Sequence, residues 1–490
     1  MFLDRIVNQT RIDLAQRKID LPLEQIKRQA LEQPSPRDVL EAFDPRDRVH
    51  LIAEVKRASP SKGLLAPDLD PVATAKIYEQ SGASVISVLT EPHFFLGSPE
   101  YLTAIKNAVS VPVLRKDFII DEYQVYEARA WGADMILLIC AILDDQQLRD
   151  LLNVATSLRM RALVEVHSQD EAQRAIAAGA VIIGVNSRNL TTFEMNPYLI
   201  RDIRRILPED RVIVAESGIH SEADVRRLAR YDVQAMLVGE SLVVSKNIPD
   251  HIQMLLRHAN HTTQVKICGL SEPEHIDTAI EAGADMLGFI FHKPSHRYIQ
   301  PERVLEVLAA SQSYTQPRQG QVLPDLVGVF VNEDADTINA IADQIGLHYI
   351  QLHGDETPEF CQQINRPVIK ALSLRQLEDL ERLASYRDIT WRLLIDTPTP
   401  DWGGTGRTGD WELARLAAQQ SKILLAGGLT AENVATAIDQ VQPWGLDVSS
   451  GVETERRKDS QKIAAFIAQV RQSEKGQQEA PERQEESSLR

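Results

Sequence analysis

Between residues 50 and 240 one pattern recurs eight times: a short run of Val, Ile and Leu closes on a polar residue, and a segment of helical period follows. The runs fall at 50–56, 84–90, 111–116, 134–141, 161–167, 180–186, 212–217 and 235–240. Strands of a parallel sheet are covered by helices on their faces and therefore read as near-continuous apolar runs. Small turns (SGA at 81–83, WGA at 131–133, AGA at 178–180) sit where helix C-caps belong. Eight even units favour closure into a (β/α)8 barrel over an open doubly wound sheet. From residue 264 the pattern restarts, with runs at 264–269, 285–291, 326–331, 349–353, 367–372, 391–396, 422–427 and 445–450. The fold class expected is α/β, two consecutive (β/α)8 TIM barrels.

The length of 490 residues suits two domains of roughly 250. Residues 1–48 have an amphipathic helical period that ends at Pro34 and Pro36, and are expected to cover one end of the first barrel without contributing chemistry. The expected division is a first barrel over 1–257, a polar linker over 258–263 with solvated His258 and His261, a second barrel over 264–473, and a disordered acidic tail over 474–490. A formal charge of −17 argues against nucleic acid or an anionic membrane as partner. Cys140, Cys268 and Cys361 are widely spaced, with neither CxxC nor metal-ligand spacing, which suits a reducing cytoplasm and predicts no disulfide and no metal. No run of 18 apolar residues occurs, so no membrane association is expected, and fused barrels with an acidic surface are expected to be monomeric.

In such a barrel the C-terminal ends of all eight strands converge on one face, where catalytic groups gather. The first set of ends supplies Glu54, Lys56, Lys116, Glu165, Asn186, Arg188, Glu216, Ser217, Gly218 and Gly239. Burial and like-charge neighbours push a lysine pKa down and a glutamate pKa up, which would give an acid and a base near neutrality. Ser217-Gly218 and Gly239 follow strands seven and eight, the usual phosphate position. Glu240 must turn its side chain away from an anion there.

The second set differs. Cys268 closes its first strand, Gln351 and His353 its fourth, Asp396 its sixth, and the loop PSHRYI brings Arg297. Gly427-Gly428 and Asp447-Val448-Ser449-Ser450-Gly451 follow strands seven and eight, again at the phosphate position. A thiolate at Cys268 would serve as general base, with Asp396 as the complementary acid. The run GGTGRTG (403–409) lacks the spacing of a nucleotide-binding loop and reads as a flexible loop after Asp396.

AEVKRASPSKG, PVLRKDFI, LVEVH, IGVNSRNL and VAESGI, in that order, resemble the indole-3-glycerol phosphate synthase family over about residues 1–257. The resemblance implies conversion of 1-(2-carboxyphenylamino)-1-deoxyribulose 5-phosphate to indole-3-glycerol phosphate with loss of CO2 and water. It implies Lys116 as general acid on the substrate carbonyl and Glu165 as its partner in dehydration. Lys56 would handle the substrate carboxylate, and Glu54, Asn186, Arg188 and Glu216 would position and stabilise charge. Ser59, Ser217, Gly218, Gly239 and the residue after it would bind substrate, with Phe95 and Phe118 as candidate walls for its aromatic ring.

VKICGL, SHRYI, QLHG, LIDT, GGTGRTGDW, LAGGLT and DVSSGVE resemble the phosphoribosylanthranilate isomerase family over about residues 264–470. That resemblance implies an Amadori rearrangement. Asp396 would protonate the furanose oxygen and Cys268 would take the C2′ proton. Arg297 would orient the anthranilate carboxylate, and Gly428, Ser449, Ser450 and Gly451 would hold the phosphate, with His353 and Asp447 as further binding positions. The second barrel's product is then the first barrel's substrate, and the small phosphorylated anthranilates are the partners expected, with no cofactor. Two other readings stand against this one: a Schiff-base, aldolase-like barrel using Lys116 or Lys56, and a phosphometabolite sensor without catalysis.

Overall fold

The computed structural model describes every residue except 1, 45–47, 61, 189–193, 197–198, 258, 261, 319–320, 322, 397–410 and 489–490, with backbone only beyond 474. The chain divides into two compact units, Met1–His261 and Thr262–Arg490. Each contains a closed barrel of eight parallel strands. The first is built from β1 (His50–Val55), β2 (Val85–Leu89), β3 (Val113–Lys116), β4 (Met135–Ile139), β5 (Arg161–Val166), β6 (Ile182–Asn186), β7 (Val212–Glu216) and β8 (Ala235–Val238). The second runs through β9 (Gln264–Cys268), β10 (Met286–Ile290), β11 (Asp325–Phe330), β12 (Tyr349–Leu352), β13 (Val368–Ser373), β14 (Arg392–Asp396), β15 (Ile423–Leu425) and β16 (Gly445–Val448). Closure is direct: His50 of β1 registers with Ala235 of β8, and Gln264 of β9 with Gly445 of β16. All sixteen strands lie where the apolar runs predict them.

Side chains alternate across each strand. One set faces the surrounding helices and forms the larger core of each unit. The other fills the barrel: Ile52, Val85, Leu114, Met135, Leu163 and Val214 in the first, and Met286, Val327, Tyr349, Ile369, Leu394 and Leu424 in the second. The connecting helices begin on side-chain caps from Asp70, Ser98, Asp121, Asp144, Ser168 and Ser221, each accepting from a backbone N–H of the first turn. Gly82, Gly132 and Gly179 of the three small turns have φ of 101°, 96° and 90°, a conformation that ends a helix at no steric cost only for glycine.

The N-terminal extension does more than cover an end. Its helices α1 (Phe2–Asp20) and α2 (Leu23–Glu32) pack through Leu14 and Ile26 against Tyr123 on the helix Glu122–Ala130. Val39 and Phe43, both fully buried, then plug the N-terminal end of the barrel against Ile52, Met135 and Ala235. The first turn of α1, however, lies at the opposite face, where Phe2, Leu3 and Ile6 line the main cavity.

The division between the units falls inside the expected linker, and the structure adds detail at both expected boundaries. Residues 258–263 are not a free linker: Ala259 is fully buried and its carbonyl accepts from the Val49 N–H at 2.6 Å, while Arg48 and Asn260 form an antiparallel bridge. A small apolar side chain at 259 lets the segment close the base of the first barrel. Nor does order end at 473. Glu474 accepts from the Thr263 N–H and pairs with Arg471, and the final helix continues from Ser460 to Ser488. The GGTGRTG run, His258 and His261 lie outside the described residues. Among the described residues, no helix is long and apolar enough to cross a membrane.

Candidate active sites at the two strand-end faces

In the first barrel a cavity of about 1230 Å³ opens at the C-terminal ends of the strands. It is lined by every first-barrel residue singled out above: Glu54, Lys56, Ser59, Phe95, Lys116, Phe118, Glu165, Asn186, Arg188, Glu216, Ser217, Gly218 and Gly239. At its centre the Lys116 ammonium lies 3.6 Å from Glu165 Oε2, 3.6 Å from Glu216 Oε2 and 4.0 Å from Glu54 Oε2. Lys56 pairs with Glu54 Oε1 at 2.6 Å, and Ser87 donates to Glu54 Oε2. The Asn186 amide and the His167 ring both reach Glu165 Oε1, at 3.2 Å each.

Five charged groups in so small a space settle each other's protons. Burial alone would discharge Lys116, but the three carboxylates around it raise its pKa, so the expected downward shift does not occur. Burial would likewise raise Glu165, yet Lys116, His167 and Asn186 together hold it well below the usual carboxylate range. Glu54 is lowered despite its burial, by Lys56 and Lys116. Glu216 is the exception: burial and then the neighbouring Glu165 charge push it up to about 8. The arrangement thereby favours a charged Lys116 and an ionised Glu165, with the proton of the Glu165–Glu216 pair on Glu216. Like charges this close cannot all ionise, and the proton resides where the fewest donors point.

Around this centre, Phe95 and Phe118 tilt against each other with centroids 6.1 Å apart. Ser217 and Gly218 both have positive φ (67° and 74°), turning the backbone after β7 sharply across the cavity mouth. Glu240, the awkward residue, lines the rim and reaches Lys62 at 3.9 Å.

In the second barrel a cavity of about 740 Å³ is lined by Cys268, Arg297, His353, Asp396, Gly428, Asp447, Ser449, Ser450 and Gly451. Here too the structure brings all the predicted residues together. His353 Nε2 lies 3.1 Å from Asp396 Oδ2, and Gln351 Nε2 lies 3.0 Å from His353 Nδ1. Lys266, two residues before Cys268 on the same strand face, is fully buried and donates to Asp447 at 2.9 Å. Burial raises the Cys268 thiol, Lys266 works against that rise, and Asp447 adds to it. Gly288 makes room: a Cβ there would lie 3.0 Å from Cys268 Sγ and 3.1 Å from Lys266 Cε. Arg297 is already engaged. Its Nε and Nη2 form a two-pronged contact with Glu453 at 2.6 and 2.9 Å, and Lys458 joins Glu453 at 2.8 Å and the Ser449 carbonyl at 2.8 Å.

The sequence reading missed His167, Lys266, Glu453 and Lys458. The signal for the first two was present: each lies two positions from a predicted residue on the same strand or its extension, and period-two alternation returns both to one face. Glu453 and Lys458 sit on a short hairpin (Glu453–Thr454 with Arg457–Lys458) with no signature in the apolar pattern.

Fold and strand-end groups together define a class: a tandem (β/α)8-barrel protein with an acid–base constellation at each catalytic face. Comparison with known proteins gives the particular families. The chain belongs to the indole-3-glycerol phosphate synthase family over residues 3–255 and to the N-(5'-phosphoribosyl)anthranilate isomerase family over residues 265–469. The tryptophan biosynthesis protein TrpCF of Vibrio cholerae is 35% identical over 477 residues, 96% of each chain. The multifunctional tryptophan biosynthesis protein of Phycomyces blakesleeanus is 36% identical over 477 residues, 86% of this chain and 62% of its own. The chain thus spans about three fifths of the length of such multifunctional relatives. A solved phosphoribosyl anthranilate isomerase from Thermotoga maritima is 39% identical and covers 43% of this chain and 99% of its own, with a TM-score of 0.39.

Proposed function

We propose that this chain catalyses two consecutive steps of tryptophan biosynthesis as a cytoplasmic monomer acting on small phosphorylated anthranilates. The second barrel isomerises N-(5-phosphoribosyl)anthranilate to 1-(2-carboxyphenylamino)-1-deoxyribulose 5-phosphate, and the first converts that product to indole-3-glycerol phosphate, CO2 and water. The observation that carries this reading is the presence, in one chain, of a complete acid–base set at each of two strand-end cavities.

In the isomerase step Asp396 protonates the furanose oxygen and the ring opens to a Schiff base. Cys268, as thiolate, removes the C2′ proton, and the enol collapses to the aminoketone. Burial raises the thiol overall, and Lys266 beside it offsets part of that rise and would stabilise the thiolate as it forms. His353 at 3.1 Å supports the Asp396 carboxylate left after proton transfer. Gly428, Ser449, Ser450 and Gly451 take the phosphate, and Arg297 meets the anthranilate carboxylate with the edge that Glu453 leaves open.

In the synthase step the Lys116 ammonium protonates the substrate carbonyl as the aryl carbon attacks it. Lys56 holds the carboxylate that departs as CO2. Glu165, kept ionised, then acts as base in the dehydration, with Glu216 as the adjacent proton store, and Glu54, Asn186 and Arg188 fix the charges and substrate. Ser59, Ser217, Gly218 and Gly239 bind the substrate, and Phe95 and Phe118 flank its ring. A lysine held charged by three carboxylates is a poor nucleophile, which weighs against the Schiff-base aldolase reading.

The test is product formation from each substrate separately, with wild type, Lys116→Ala and Cys268→Ala. Lys116→Ala is expected to abolish only indoleglycerol phosphate formation and Cys268→Ala only the isomerisation. A wild type that turns over neither substrate overturns the assignment.

A further inference from the structure

His167 has no role in the two reactions as set out above, yet it is placed as though it had one. It directly follows β5, and its side chain is 13% exposed. Its Nε2 lies 3.2 Å from Glu165 Oε1, and its Nδ1 lies 3.4 Å from Glu171 Oε2. Glu171 is itself pinned, because its Oε2 accepts from the backbone N–H of residue 167 at 2.7 Å, so imidazole and carboxylate are tied to one turn. The ring lies between two carboxylates: Nδ1 is within hydrogen-bond reach of Glu171, Nε2 approaches Glu165 as an ion pair without hydrogen-bond geometry, and only the imidazolium is attracted by both. Glu165 in turn faces Lys116, His167 and Asn186, whereas Glu216 Oε1 is buried without a hydrogen-bond partner.

We propose that His167 is a positioning residue of the first active site: clamped as an imidazolium between Glu165 and Glu171, it keeps Glu165 ionised and leaves the proton of the Glu165–Glu216 pair on Glu216. This rests on the proposed synthase reaction and assigns the division of labour within it. The Asn186 amide already favours charge on Glu165 over Glu216, and a cation beside Glu165 adds decisively to that preference. The other charged groups that bear on the pair are Lys116 from β3 and Glu54 from β1, which act on both carboxylates. Behind Glu171 stand Cys140 and Arg174, with Arg174 turned to the Cys140 carbonyl and to Asp145. Lys116 is equidistant from Glu165 and Glu216, so it cannot decide between them, and His167 is the ionisable group nearer to one. Burial alone would discharge the ring, but the two carboxylates raise its pKa to about 10, in keeping with the clamp.

The experiment has two arms on the full chain. In the first, the wild-type His167 ring is titrated by NMR, assigned through its loss in His167→Asn. It is expected to stay imidazolium through pH 9, and a ring that titrates between pH 6 and 7 overturns the proposal whether or not the enzyme turns over. In the second, pH–rate profiles of indoleglycerol phosphate formation are compared for wild type and His167→Asn. Without the cation beside Glu165, the shared proton can sit on Glu165 until the pair's upper titration, which lies near 8. The rate is therefore expected to fall about tenfold below pH 7 and to recover as pH rises above 8, while the isomerase of the same chain is unchanged. A loss equal at all pH values would mark a merely structural role and overturn the proposal, as would an unchanged profile. A wild type without synthase activity would instead remove the reaction itself, leaving the ring titration to judge the clamp.

Discussion

Gly184 sits on β6 in register with Glu165, and its missing side chain is where Glu216 rests. A Cβ at 184 would lie 2.1 Å from Glu216 Oε1 and 3.1 Å from Leu163 Cδ1. Ordinary contact begins near 3.5 Å, so in Gly184→Ala the carboxylate must swing by roughly 1.4 Å, and it is the flexible partner that gives way. That swing pulls Glu216 from its 3.6 Å approach to Lys116. A displacement of about 1 Å at a reacting group is enough to cost roughly 10²-fold in rate, and that is the loss expected for indoleglycerol phosphate formation. The stability cost is smaller, about 1–3 kcal/mol for overpacking against Leu163. The assay is initial rates of both reactions on the same preparation, with a thermal melt. Synthase activity should fall about a hundredfold while isomerase activity persists and the first unit stays folded at the assay temperature. A variant with undiminished synthase would refute the need for Glu216 at that spot, and the reasoning that the pair shares its proton through this geometry.

Glu453 is pushed up by burial but brought down to about 2 by Arg297 and Lys458. A carboxylate lower in the folded than in the unfolded state stabilises above its unfolded pKa of about 4.5 and loses that stabilisation as pH falls toward 2. Denaturant melts of the second unit should weaken across that window, and Glu453→Gln should be less stable at pH 7 yet less acid-sensitive. Cys140 and Cys361 are held at about 12 and about 11, chiefly by burial. Cys268 lines the second strand-end cavity and has a buried lysine beside it. Prolonged iodoacetamide treatment at alkaline pH should therefore modify Cys268 ahead of Cys140 and Cys361, removing isomerase but not synthase activity, with the modified thiol identified by peptide mapping.

Most of this molecule is legible in one dimension because a parallel barrel writes its strands as apolar runs and its chemistry at their ends. Cys268 and Asp396 are far apart in sequence yet both end a run, and that alone places them on one face. What escapes such a reading is whatever depends on several strands meeting. The charge on Lys116 is one case: the expectation of a lowered pKa treats burial as dominant, and only the convergence of β1, β5 and β7 supplies the three carboxylates that reverse it. Arg297 is another, since the partner that occupies it, Glu453, lies 156 residues away on a hairpin. Gly184 is a third, because a glycine in a strand announces a close approach without saying by what. Composition marks residues 258–263 and 474 only as polar, and it does not show that the Ala259 carbonyl and the Glu474 carboxylate tie these segments to β1 and β9.

The way each barrel closes on itself at the join has a consequence for gene architecture. Val49 at the head of β1 is latched to Ala259, and Thr263 at the head of β9 is latched to Glu474. Neither latch borrows a residue from the other unit. A scission between residues 261 and 262 therefore leaves two polypeptides that each carry their own fastening, whereas one at residue 257 strips the first of its clasp. A pair of separate genes divided at this seam would therefore keep both closing hydrogen bonds intact.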